Sequence, residues 1–426
     1  VEAVVGPGAG GMVSKDNKNI ISALDVGTSK TVALIAELKD GGGFEIVGFG
    51  SAATEGVKKG VIVSLDKASE AMHLAVDAAE KMAGRIIESA VVGVSGNSLA
   101  SSEQHGGVAV ADPERGVSAD DMRRAAEAAK TILLPPDKQV ICTIEMDYTV
   151  DNHSGIKDPR GMSGSRLGAD VQIVTGSTAM TQNLMRCLMK LEIGIDALAP
   201  TPFASGEAVL NEDEKEIGTV IVDIGAGTSG IAVFKSGVLR KVKVFPVGGW
   251  NFDNDIGIVL GASTREGERL KIESGIAYVD DRVGSEPVRI EHVSGEKEQQ
   301  VTRGMLCQII HARAMDMMKM IRHELETDMP ISVVPAGVVL TGNGALLEGM
   351  REVAEQAIGM NARVGKPRYS GPHSDLVSEP GYAAALGLLA HAARLRSISG
   401  ARRSETATSS ALIRSVAGFF RGLFNK

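Results

Sequence analysis

The chain has 426 residues, 43% hydrophobic and 23% charged, enough to bury cores in two or three domains. A formal net charge of −8 excludes bulk attraction to nucleic acid, and three scattered cysteines (Cys142, Cys187, Cys307) exclude a disulfide framework and a zinc site and point to a reducing compartment. Abundant glycine (51 residues) with 3% aromatics suits glycine-turned α/β sheets, and no apolar run reaches the length that spans a bilayer.

Val1 to Lys18 is Gly-rich and then polar, without the basic start and apolar centre of a signal peptide, so residues 1–18 read as a disordered leader. The apolar run Asn19-Ile20-Ile21-Ser22-Ala23-Leu24 then leads into Asp25-Val26-Gly27-Thr28-Ser29-Lys30, and Thr31-Val32-Ala33-Leu34-Ile35 follows. This predicts a hairpin of strands 20–25 and 31–37, with a further strand over Phe44 to Phe49. Lys67 to Met82 carries Ala68, Ala71, Met72, Ala75, Val76 and Ala79 near helical spacing. The block from Ser89 to Asp170 reads differently. Short strand candidates (Ala90–Val94, Gly107–Val110, Gln139–Thr149) flank one helix, N-capped by Ser118 and stopped by Pro135-Pro136 after about Leu133. It is expected to be a small α+β insert, with a Gly-, Ser- and Pro-rich loop from Asn152 to Arg166. Strand Val171–Thr175 and a helix from Thr178 to Leu191 are expected to resume the first half.

Thr201 to Leu210 reads as another helix and Asn211 to Glu216 as an acidic loop. The opening pattern then returns: Thr219-Val220-Ile221-Val222 leads into Asp223-Ile224-Gly225-Ala226-Gly227-Thr228-Ser229, followed by Gly230-Ile231-Ala232-Val233-Phe234. Two such units suggest two similar half-domains facing one another. Helices are expected at about Ser263–Ser274 and Thr302–Glu326, with β-like segments near 276–300. Strand Gly337–Leu340 ends in Thr341-Gly342-Asn343-Gly344-Ala345 ahead of a helix from about Leu346. The polar stretch from Ser397 reads as a linker, spanning on the order of 20 Å as a flexible coil.

In the last segment, Ser410 to Lys426, seven apolar residues (Leu412, Ile413, Val416, Phe419, Phe420, Leu423, Phe424) fall within an arc of about 140°. Arg414 and Arg421 lie opposite. A terminal helix packed on the core is the ordinary alternative. The linker, the basic face and the aromatic face favour an in-plane anchor on an anionic membrane surface. Incomplete burial of seven apolar side chains contributes on the order of 8 kcal/mol gross, and helix ordering takes back much of it, so one copy binds reversibly and many joined copies hold firmly.

The two D-x-G turns offer the same chemistry. Each has a carboxylate at a strand end, glycines that let backbone N–H groups approach an anion, and a small hydroxyl, which makes a phosphate clamp with a metal-positioning carboxylate on each side. The candidate residues are Asp25, Gly27, Thr28, Ser29 and Lys30 in the first turn, and Asp223, Gly225, Ala226, Gly227 and Thr228 in the second. In the third loop, Gly342, Asn343 and Gly344 would let a base or ribose lie against backbone.

Together these elements resemble the actin–hexokinase–chaperone ATPase fold, an α/β, ribonuclease H-like duplicated architecture with two half-domains around a nucleotide cleft. The resemblance implies ATP and Mg2+ as ligands, with Asp25 and Asp223 holding the metal through water and no catalytic residue assigned. It also implies that Glu268 and Lys271, in Gly267-Glu268-Arg269-Leu270-Lys271, hold the ribose and base. Many members place a Glu or Gln where this chain has Thr201, whose hydroxyl is a poor general base, and Glu207 lies about 9 Å further along the helix. Tight binding with slow or absent hydrolysis is therefore expected.

With the insert and the amphipathic tail, the chain from about Asn19 to Lys426 resembles the FtsA family of bacterial cell-division proteins. The resemblance divides it into a first half (19–87 and 171–216), an insert (88–170) and a second half (217–262 and 301–396). An outer subdomain (263–300, its partner contact reaching about 306), a linker (397–409) and a membrane-targeting helix (410–426) complete the division. It implies self-association into filaments on the cytoplasmic face of the inner membrane at midcell. It also implies capture of the C-terminal peptide of FtsZ, with Arg303 in that contact, and contacts with later division proteins through the insert. A pilus-assembly ATP-binding protein and a sugar kinase of the same fold are the rival readings.

Overall fold

The computed structural model describes residues 2–3, 19–39, 43–279, 284–294, 298–328 and 334–397. Two sheets carry the same topology. In the first half, Ile20–Val26, Lys30–Leu38 and Phe44–Ala53 form an antiparallel meander. Ser89–Val94 and then Gly194–Pro200 add in parallel on the other side of Ile20–Val26. In the second half Thr219–Ile224, Ser229–Lys235 and Val238–Phe245 make the meander, and Val338–Thr341 and Ala362–Val364 add in parallel. The first strand of each half is thus central and buried, and its carboxyl end carries the aspartate turn.

Helices cover the sheets. Leu65–Ala83 lays Ala68, Met72, Ala75 and Ala79 against the first sheet and ends at Gly84 in the left-handed region, a glycine C-cap. Arg303–Asp328 and Met350–Ile358 pack on the second sheet through Leu306, Ile310, Met317, Val353 and Ala357. Between the halves run the short helix Thr201–Val209 and the helical stretch 383–397, where Phe203, Ala204, Leu386 and Leu388 join the first core.

The sheet pairing moves two expected boundaries. Strand Ser89–Val94, read as opening the insert, is a central member of the first sheet. Strand Val171–Thr175, read as the return to the first half, lies within Arg166–Ser177 and pairs with Ala100–Ala109 and Lys138–Val150 of the insert. Both are non-local pairings that local sequence does not encode. The insert proper is these three antiparallel strands with helix Ala119–Ala129 on one face, where Ser118 and Asp121 form a capping box. Its strand Ala100–Ala109 also bridges to Val238–Phe245 at Ala100 and Lys243, so the insert sheet continues the sheet of the second half. Arg240 and Asp147 close the same junction at 2.7 Å.

Other departures are smaller. Glu2–Ala3, expected within a leader without structure, pairs with Lys138–Val150, whose edge is open to an added strand. The rest of residues 1–18 lies outside the described residues, as does 398–426 with nearly all of the linker and the amphipathic tail. The acidic stretch after Asn211 is a short helix, Glu212–Ile217, because Asn211 and Glu214 cap one another. A helix at Gly249–Leu260 had no sequence-based expectation, and the insert helix ends at Ala129, before Leu133.

Candidate functional site

Asp25 and Asp223 open onto one cleft of about 720 Å³ between the halves. From the first turn it is lined by Asp25, Gly27, Thr28, Ser29 and Lys30, and from the second by Asp223, Gly225, Ala226 and Thr228. Gly342 and Asn343 of the third loop complete it. Gly227 faces the opposite turn: a Cβ there would stand 2.8 Å from Thr28 Cγ2. Ser95, at the end of Ser89–Val94, reaches Thr228 with its hydroxyl at 3.3 Å. All three sequence elements therefore converge.

The turns are built to hold an anion. Gly27 and Gly225 close them by donating to Lys30 O and Thr228 O at 3.0 and 2.8 Å. Among the described residues, the amides of Thr28, Ser29, Ala226 and Gly227 find no protein acceptor. Donors left open beside glycine are a backbone anion cradle. At Gly342 the backbone is left-handed (φ 79°), and a Cβ would meet Asp223 Oδ1 at 2.5 Å, so the third loop fits against the second turn only as glycine.

The electrostatics suit a cation. Burial pushes the Asp25 carboxyl up to about 7, the neighbouring Asp223 adds to this, and Lys30 opposes it. Burial raises Asp223 too, against the Ser205 hydroxyl, which donates to its Oδ2 at 2.6 Å, and against Lys30. Burial lowers Lys30, opposed by the two carboxylates, and its ammonium lies 3.6 Å from the centre of the Tyr382 ring. Two carboxyls raised by burial on one cleft are relieved by a divalent cation, so the donor set fits one.

Lys271 approaches the back of the second turn. Its Nζ lies 2.5 Å from buried Asp253 and donates to Gly249 O at 3.4 Å, while Gly249 and Trp250 donate to Gly225 O and Ala226 O. Glu268, on the same helix, is exposed. Neither Glu268 nor Lys271 lines the cleft itself. Arg303 is half-buried and donates to Ser274 O at 3.1 Å, with Glu286 3.7 Å away, so it ties a hairpin to a helix end. Thr201 lines the cleft. Glu207 does not: it is buried in ion pairs with Lys215 at 3.2 Å and with Arg394, which leaves it no part as a displaced general base. The described residues contain no group of three or more metal-ligating side chains.

Sequence reasoning missed Ser205, Ser95, the Pro380–Gly381 segment and the hairpin Val57–Ile62, whose Gly60 also lines the cleft. None stands in a D-x-G pattern, and each reaches the site only through strand order and helix placement.

The architecture is that of an actin-like ATPase fold. The chain is similar to a chain of the PilM–PilN type IV pilus biogenesis complex at TM-score 0.58 and 16% identity, covering 88% of this chain and 98% of that one. It is likewise similar to MreB5 of Spiroplasma citri bound to AMPPNP, at TM-score 0.53 and 13% identity over 91% and 99% of the two chains. A family model described as "Cell division protein FtsA" matches residues 220–387, and one described as "SHS2 domain inserted in FTSA" matches 96–175. FtsA of Pseudomonas aeruginosa is 36% identical over 378 residues, covering 89% of this chain and 90% of that protein. FtsA of Bacillus subtilis is 35% identical over 385 residues, 90% of this chain and 86% of that protein. The chain belongs to the FtsA family of cell-division proteins.

Proposed function

We propose that the protein binds ATP with Mg2+ in the cleft, polymerises on the cytoplasmic face of the inner membrane and ties FtsZ filaments to it at the division septum. The observation that carries the nucleotide reading is the convergence of Asp25 and Asp223, from equivalent strands of two halves, on one cleft with open backbone donors. The first turn (Asp25, Gly27, Thr28, Ser29, Lys30) and the second (Asp223, Gly225, Ala226, Gly227, Thr228) hold the phosphates. Gly342, Asn343 and Gly344 take the adenosine side, with Lys271 and Glu268 behind it. Mg2+, held through water by Asp25 and Asp223, supplies neutralising charge to the phosphates. Thr201 replaces an ionisable residue at the cleft, so hydrolysis is slow, with turnover well below about one per second.

The membrane part rests on the family and on the amphipathic pattern of Leu412, Ile413, Val416, Phe419, Phe420, Leu423 and Phe424 opposite Arg414 and Arg421. No helix among the described residues is long and apolar enough to cross a membrane. The insert offers a surface for later division proteins, and the region from 263 to about 306, with Arg303, one for the FtsZ C-terminal peptide. Co-sedimentation with vesicles containing anionic lipid tests the anchor. The full chain pellets, more so with Mg·ATP, and a chain ending at Ser397 stays in the supernatant. Equal pelleting of the two refutes the anchor, and unchanged pelleting with nucleotide refutes its link to polymerisation.

A further inference from the structure

The hairpin Val57–Ile62 brings Gly60 to the lining of the cleft, a contribution that neither aspartate turn supplies. Its two strands pair Val57 with Ile62 and Lys58 with Val61, leaving Lys59-Gly60 as a two-residue turn. Both turn residues have positive φ, 49° at Lys59 and 73° at Gly60, the type I′ geometry that matches hairpin twist. Lysine is an unusual residue at such a position, and an unfavourable backbone kept at a ligand cleft is a pointer to function.

The base of the hairpin is fixed, with Val57 buried in the first core and Val63 donating to Gly56 O at 2.8 Å. Its tip meets both turns. Gly60 N–H donates to Thr28 Oγ1 at 3.2 Å, and a Cβ on Gly227 would come within 3.1 Å of Lys59 N. The tip therefore sits where the two turns approach one another. The third loop and Lys271 lie elsewhere, against Asp223, Ile224 and Gly249. Lys59 is exposed, and among the described residues neither its amide nor its ammonium has a protein partner. A cation and an open N–H at the end of a phosphate cleft are suited to a terminal phosphate.

We propose that the Lys59-Gly60 tip is the terminal-phosphate wall of the site, with Lys59 the residue that makes the protein prefer a nucleoside triphosphate to a diphosphate. This rests on the nucleotide reading above. A triphosphate reaches the tip and gains the Lys59 amide and ammonium, whereas a diphosphate ends at the aspartate turns and gains neither.

The test is equilibrium binding of ATP and ADP, each with Mg2+, to the full chain and to Lys59→Gly, Lys59→Arg and Lys58→Ala. Lys59→Gly removes the cation while easing the positive φ, so it preserves the fold. ATP affinity is expected to fall about tenfold in Lys59→Gly, with ADP affinity changed less than about twofold. Lys59→Arg restores most of the ATP affinity, and Lys58→Ala behaves as the parent. Equal losses for ATP and ADP, no loss at all, or a loss carried by Lys58→Ala overturns the assignment of Lys59 and leaves the nucleotide reading standing. If the unaltered chain binds neither nucleotide, the nucleotide reading itself fails.

Discussion

Asp25 and Asp223 end equivalent strands in the two halves, and the residues around them differ. Ser205, from the helix that joins the halves, donates to Asp223 at 2.6 Å. Among the described residues no side chain donates to Asp25, and burial, the twin carboxylate and Lys30 set its charge. The difference follows from where the connecting helix runs: Thr201–Val209 leads out of the first sheet and passes beneath the first strand of the second. A duplicated motif has thus become two unequal ligands. Burial raises both carboxyls; at Asp223 the Ser205 hydroxyl opposes that rise, whereas Asp25, with no such donor, is pushed up to about 7.

Nucleotide affinity breaks or sharpens this contrast most strongly. Removing either carboxylate, in Asp25→Ala or Asp223→Ala, is expected to weaken Mg·ATP binding by on the order of 100-fold, measured by calorimetry at pH 7.5. The pH dependence separates the two. Affinity of the unaltered chain for Mg·ATP falls as pH drops below about 7, where Asp25 is protonated, by up to about tenfold per pH unit. Asp25→Asn binds weakly with that slope reduced, whereas Asp223→Asn binds weakly and keeps a slope moved to lower pH, because the charge that helps raise Asp25 is gone. The same slope in both variants removes the distinction between the carboxyls.

Stability without ligand is expected to move the other way. The Asp25 carboxyl is raised above its unfolded value, so folding favours its protonated form. Stability attached to it is full below about pH 4 and is lost as pH rises through 7. Asp25→Asn should therefore stabilise the ligand-free protein above pH 7 by about 3 kcal/mol in denaturant titrations, with no gain at pH 4. A variant that binds ligand worse and stands denaturant better marks Asp25 as a functional compromise. A loss of stability at pH 8 would show that its charge is already compensated.

A second buried group titrates nearby with the opposite sign and has to be separated from it. His391 is fully buried, edge-on to Phe203 with ring centres 5.6 Å apart, and neither ring nitrogen has a partner among the described residues. Burial lowers its pKa to about 4, below the unfolded value, so its stability is present above about pH 6.5 and is lost as pH falls toward 4. His391→Leu should retain about 2 kcal/mol more stability than the parent at pH 4, relative to pH 7.5. Phe203 lies two residues from both Thr201 and Ser205, so acid unfolding that starts at His391 loosens the helix holding Asp223. The Asp25 measurement is cleanest in the His391→Leu background.

The D-x-G turns were legible because their chemistry is local: a strand, a carboxylate, glycines and a hydroxyl within a few residues. The duplication was legible because the motif recurs, and the N-cap at Ser118 because it acts within one helical turn. What sequence hid was non-local. Ser89–Val94 looks like a neighbour of the insert and belongs to the first sheet, because parallel strands are paired by the fold and not by proximity. Helix Gly249–Leu260 has glycines, asparagines and aspartates mixed with its apolar residues, which blurs its period, yet its first turn closes the back of the second aspartate turn. Lys271 was expected in the site only through resemblance, and it stands at the back of the second turn, held by Asp253, which no sequence pattern marked.

Ser205 is the smallest lever and the one that tests the inequality most directly. It is fully buried, and its hydroxyl is the hydrogen-bond donor that opposes the upward push of burial on the Asp223 carboxyl. In Ser205→Ala the lost bond is worth about 1 kcal/mol, which corresponds to roughly fivefold weaker Mg·ATP binding at pH 7.5. The more telling change is in the pH profile. Without the hydroxyl the Asp223 carboxyl is pushed further up by burial, so binding should fall more steeply as pH drops. Ser205→Thr keeps a hydroxyl and should keep the parent's slope. If Ser205→Ala weakens binding without steepening the slope, the hydroxyl only positions Asp223 and does not set its charge, and the two turns are electrostatically closer to equivalent than their surroundings indicate.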